Sequence, residues 1–90
     1  MAMDSELVKE VEMFLEEHKI DILEMVYNRS IELDNKPNFQ ILTNNPKSLE
    51  KLAQKLKRSL RSDYDERSFY KELSISRDEY DLNICHRKKF

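Results

Sequence analysis

Apolar residues recur along the first third of the chain with the period of a helix. Leu7, Val8, Val11, Phe14, Leu15, Ile22 and Val26 fall on one stripe at about 100° per residue, and Asp4 or Ser5 stands where a cap is needed. The spacing predicts an amphipathic helix running to about residue 26. A weak point is expected near Lys19, because Asp21-Ile22-Leu23-Glu24 also reads as a fresh capping box. His18 projects to the apolar side, where a partly buried, hydrogen-bonded histidine is expected rather than a ligand or a base.

The period then changes from helical to two. Tyr27, Ile31 and Leu33 alternate with Asn28, Glu32 and Asp34, which predicts a strand with one buried face. Asp34-Asn35-Lys36-Pro37-Asn38 has turn chemistry, and Phe39-Gln40-Ile41-Leu42-Thr43 returns as the second strand of a hairpin. Asn44-Asn45-Pro46 is the sharpest local signal, an Asn cap before a proline whose missing N–H is no loss in a first helical turn. From there Leu49, Leu52, Ala53, Leu56 and Leu60 form an apolar face. Lys47, Lys51, Arg58 and Arg61 lie opposite, with Lys55 at the margin, predicting a helix to about residue 62.

Asp63 to Ser68 reads as a polar connection, although Asp63 and Glu66 can cap a short further helix through Tyr70. Leu73 and Ile75, and then Tyr80, Leu82, Ile84 and His86, alternate with polar neighbours around Arg77-Asp78-Glu79, predicting two closing strands. The expected order is α-β-β-α-β-β, with two helices on one face of a mostly antiparallel four-stranded sheet. This is a two-layer α+β fold in which residues 1–90 form a single small domain and residues 87–90 a frayed basic tail.

Composition narrows the chemistry. The chain has no glycine, so phosphate-cradling loops, dinucleotide turns, nucleophile elbows and the bend of a calcium loop cannot be built in their usual form. Cys85 is the single cysteine and cannot form an internal bridge, which points to a reducing interior. The N-terminus lacks the basic-then-apolar order of a signal peptide, and no apolar stretch approaches the roughly 18–20 residues of a membrane span. A cytoplasmic protein without a membrane partner is expected. Two alanines against six asparagines suggest an AT-rich coding genome such as that of a phage or other virus, hence a host cytoplasm.

The net charge of −2 conceals a segregation. Residues 1–36 carry ten acids and four bases, net −6, whereas residues 37–90 carry eight acids and twelve bases, net +4. The two halves attract each other or face different partners, unless both are simply solvated surfaces that keep the chain soluble.

No catalytic, cofactor-binding or metal-binding residue is assigned. Cys85 and His86 are neighbours on a strand and point to opposite faces, so His86 is read as a surface residue and Cys85 as a small apolar or edge residue. Asp63, Asp65 and Glu66 lack the other ligands and the glycine turn of a calcium loop. His86-Arg87-Lys88-Lys89 beside Tyr80 can supply a proton shuttle and phosphate stabilisers, as in small toxin-like ribonucleases, but the same residues fit a frayed tail. The chain is therefore expected to be a non-enzymatic macromolecule-binding domain, an inhibitor or adaptor whose partner is another protein. The acidic residues Glu6, Glu10, Glu12, Glu16 and Glu17 are the candidate contact. Their pairs Glu6–Glu10 and Glu12–Glu16 repel at four-residue spacing, which a basic partner relieves. The alternative is nucleic-acid binding through Lys47, Lys51, Lys55, Arg58 and Arg61, joined into one patch by Arg87, Lys88 and Lys89. Open sheet edges also allow strand addition, and homodimerisation through a sheet edge or the first helix is a further expectation.

Overall fold

A computed structural model describes residues 5–29 and 36–89. The elements are α1 (Ser5–Glu17), β1 (Glu24–Arg29), β2 (Pro37–Leu42), α2 (Pro46–Lys55), β3 (Arg61–Tyr64), β4 (Ser68–Ser76) and β5 (Asp81–Lys89). The fold is α+β, with two helices on one face of a sheet. The sheet has five strands rather than four, in the order β1-β2-β5-β4-β3. Three of its four pairings are antiparallel, and β2 with β5 is parallel.

Both helices are shorter than their apolar periodicity predicts, and for the same reason. After α1, Lys19 adopts φ 58°, its amide donates to the Glu16 carbonyl at 3.0 Å, and the Ile20 amide donates to Leu15 at 2.9 Å. After α2, Lys57 adopts φ 56°, its amide donates to Gln54 at 3.1 Å, and the Arg58 amide donates to Ala53 at 2.9 Å. Each is a Schellman ending, in which a left-handed residue lets the last amides satisfy carbonyls of the final turn. The expected weak point at Lys19 is thus a complete stop. Ile20 folds back into the core beside Leu15, and Glu24, Met25 and Val26 become the start of β1. Leu56 and Leu60 continue the apolar pattern of α2 because they pack on the same core from a non-helical chain.

The α2 start follows the sequence signal: Asn45 Oδ1 accepts the Ser48 amide at 3.2 Å and Pro46 opens the helix. The expected hairpin forms with shifted bounds: β1 starts at Glu24 rather than at Tyr27, and Pro37 and Asn38, expected in the turn, pair with Arg29 and Asn28 as the start of β2, with Tyr27 opposite Phe39 and Met25 opposite Ile41. The alternating residues Ile31 and Leu33 and the turn at Asp34-Asn35 lie outside the described residues. The connection after α2 is neither a loop nor a short helix. Arg61–Tyr64 is a strand that pairs with β4 through a tight turn, in which Asp65 Oδ1 accepts the Arg67 and Ser68 amides, both at 2.7 Å. Arg87, Lys88 and Lys89 are not a frayed tail either. They end β5, in register with Tyr70, Phe69 and Ser68.

The core lies between the helices and one sheet face. Val11 and Leu15 of α1, with Leu49, Leu52 and Ala53 of α2, close over Phe39, Ile41, Leu73, Ile75, Leu82 and Ile84. Tyr80 joins them, its ring edge-on to Phe39 at 5.7 Å. Burying each large aliphatic side chain contributes about 1.5–3 kcal/mol, and the strict alternation along β5 puts Leu82, Ile84 and His86 inside. No helix among the described residues is long and apolar enough to cross a membrane.

Candidate interaction surfaces

The acids of α1 follow from its one-sided burial. With Val11 and Leu15 buried, the rest of the helix surface faces solvent: Glu6, Glu10, Glu12, Glu16 and Glu17 are all exposed, and Lys9 and Met13 are exposed among them. Among the described residues, ion pairs join Lys36 to Asp81 and Lys71 to Glu50, and none involves Glu10, Glu12, Glu16 or Glu17. Met13 lies among these acids at 70% exposure. Beside it is an open groove of about 610 Å³, floored by Phe14 and Tyr80 and rimmed by Glu10, Glu16, Glu17 and Arg77. Arg77 sits 4.9 Å over the Phe14 ring, and its amide donates to the Tyr80 carbonyl at 2.9 Å, so the turn between β4 and β5 forms one groove wall. Burial raises the Tyr80 phenol above its ordinary value.

The basic residues do not form one patch. Lys47, Lys51 and Lys55 line the exposed side of α2. Arg58 lies beyond the helix, where its Nη1 donates to the Ser74 carbonyl at 3.2 Å and so covers part of the β4 edge that short β3 leaves unpaired. Arg61 and Arg87 project from the opposite sheet face, as their registers with Glu72 and Tyr70 require, and Lys89 follows Arg87 on that face. Lys88 alone of the last three points to the helix side, level with Phe69. The Arg87 guanidinium lies 5.6 Å from the Tyr70 ring. The Tyr70 hydroxyl donates to Glu72, and burial together with that carboxylate pushes its phenol up to about 12.

His86 is not on the surface. It is 6% exposed, and its Nδ1–H donates to the Thr43 carbonyl at 3.0 Å, which fixes the proton on that nitrogen. Thr43, fully buried, is a junction: its hydroxyl donates to Asp21 Oδ1 at 2.7 Å and accepts the Asn45 amide at 3.3 Å. Burial pushes the Asp21 carboxyl up, but the hydrogen bonds from Thr43 and from the Asn44 amide outweigh it and hold the group below its ordinary value. Asp21, expected as a possible helix cap, instead ties the loop after α1 to the start of α2. Cys85 faces the other side of the sheet, where burial raises its thiol and keeps it protonated. The two neighbours therefore do not converge on one ion or substrate. No group of three potential metal ligands occurs among the described residues.

The roles of Thr43 and of the Tyr64–Phe69 pair escaped the sequence reading. Thr43 was legible only as a strand residue, and Tyr64 and Phe69 lay in a segment whose strand pairing has no strong periodic signal. No family model, curated protein or solved structure matches the chain.

Proposed function

We propose that this chain is a non-enzymatic binding domain, an inhibitor or adaptor that engages a basic protein surface through α1. The observation that carries this reading is the exposed Met13 beside the Phe14–Tyr80 groove, whose rim residues Glu10, Glu16 and Glu17 form no ion pair among the described residues. A methionine beside a groove suits an interface, which uses an adaptable apolar anchor inside a charged rim. Like-charge repulsion between Glu6 and Glu10, and between Glu12 and Glu16, falls when an arginine or lysine side chain comes between them. The partner is thus a protein segment with basic residues flanking one apolar side chain.

An arginine-rich peptide with a single leucine anchor tests this in solution. Titration at low salt should perturb the amide resonances of Glu10, Met13, Phe14 and Glu17. The double substitution Glu10→Lys, Glu17→Lys should weaken the peptide about ten-fold or more without loss of helical circular dichroism. Perturbations that fall elsewhere, or an affinity indifferent to the double substitution, would discard the reading.

A further inference from the structure

We propose that the end of the helix-side sheet face formed by β3, β4 and β5 is a stacking site for single-stranded nucleic acid. This surface differs from the α2-centred patch that the basic residues suggest by spacing, and it does not depend on the α1 reading. Along β4 and β5 the helix-side face changes in steps. Leu73 and Ile84 belong to the core, Lys71 and His86 form the next row, and Phe69 and Lys88 the last, with Tyr64 beside Phe69 on β3. The Glu50 carboxylate of α2 reaches Lys71, so the helical layer extends to that row. Tyr64, one row further out, is 67% exposed.

The rings form a supported platform. Tyr64 lies 4.9 Å from Phe69, Phe69 lies 5.9 Å from His86, and His86 is held by the Thr43 carbonyl. The Lys71 ammonium, 5.4 Å from the Phe69 centroid, steadies the middle ring. Two exposed cations flank the platform, Lys88 across the strand pair from Phe69 and Arg67 in the adjoining turn. Of the two acids in that turn, Asp65 is engaged by two amides and the Ser68 hydroxyl, and Glu66 subtracts from the positive field. A shallow face with an aromatic ring in solvent and cations at its sides matches a base above a phosphodiester: every base has a π-face, and the phosphates meet Lys88 and Arg67. A peptide anchor would need a groove, which the exposed Tyr64 ring does not provide.

Fluorescence anisotropy with labelled oligothymidylate and oligouridylate at low salt measures the site. Wild type should bind, with log affinity falling against log salt at a slope of about −1.4 for two neutralised phosphates. Tyr64→Ala should weaken binding about ten-fold, Tyr64→Phe should retain it, and Lys88→Glu should weaken it and flatten the salt slope. Oligonucleotide added to the wild-type chain should shift the Tyr64 and Phe69 ring resonances, a readout that needs no variant to fold. Three results would overturn the proposal: no binding by wild type, binding that Tyr64→Ala leaves unchanged, or a Tyr64→Ala effect explained by conversion of a dimer to a monomer in light scattering. None of these bears on the peptide titration at α1.

Discussion

Lys19 and Lys57 hold the two left-handed backbone positions found among the described residues, and in a chain without glycine each bears a steric penalty that a Cβ imposes there. Lys19→Gly and Lys57→Gly should each stabilise the domain by about 1 kcal/mol, raising the melting temperature by roughly 4–8 °C. A fall on thermal denaturation would mean that the lysine side chains contribute more than their backbone strain removes. Thr43 concentrates a different vulnerability. Thr43→Val takes the donor from Asp21 and leaves the Asn45 amide without its acceptor, at a cost of about 1–3 kcal/mol, measurable by urea unfolding. The same junction sets an acid limit. Asp21, Asp65 and Asp81 all lie below the ordinary value of 3.8 in the folded chain. Their stabilisation is complete above that pH and disappears as pH falls through the lower folded values. Stability should begin to decline below about pH 4, and Asp21→Asn should remove part of that dependence.

Among the elements, those with a local cause were readable in advance. The Asn45-Pro46 start of α2 is a cap and a proline in adjacent positions, and Asn45→Ala should cost about 1 kcal/mol in chemical denaturation. Whereas β1 begins at Glu24 inside the segment whose spacing reads as helix, the β2 strand and the alternation of Tyr80, Leu82, Ile84 and His86 are likewise visible as a period of two. Helix ends were not, because Ile22, Val26 and Leu60 keep a helical spacing while the chain is already extended or irregular. Leu60 packs on the core while Ile22 and Val26 stay exposed, and periodicity distinguishes neither case from a continuing helix. The β3 strand was hidden for the converse reason. All four of its residues are exposed, so no apolar alternation marks it, and its existence depends on the Asp65 turn and the partner strand β4. The exposure of the α1 acids was legible because helix periodicity alone decides which side faces water. The basic patch was not, because assigning Arg61, Arg87 and Lys89 to the opposite face needs the sheet register.

The longest dimension of the molecule is 42 Å. Phe14 meets Arg77 just beyond one end of β4, while Phe69 lies near the other, a strand length of roughly 20–25 Å away at about 3.3 Å per residue. Substitutions at the two sites should act independently. Glu10→Gln with Glu17→Gln, combined with Tyr64→Ala, should change thermal stability by the sum of the separate changes to within about 0.5 kcal/mol, and a larger departure would reveal coupling through the core. The sheet order carries a further consequence. The hairpins β1–β2 and β3–β4 are each local in sequence, yet they share no hydrogen bond, since β5 stands between them. That strand is a keystone: lose it and the sheet parts into two hairpins, neither able to persist alone. Amides across β2, β4 and β5 should accordingly exchange with solvent deuterium in one concerted opening, so the domain folds as a single event or not at all.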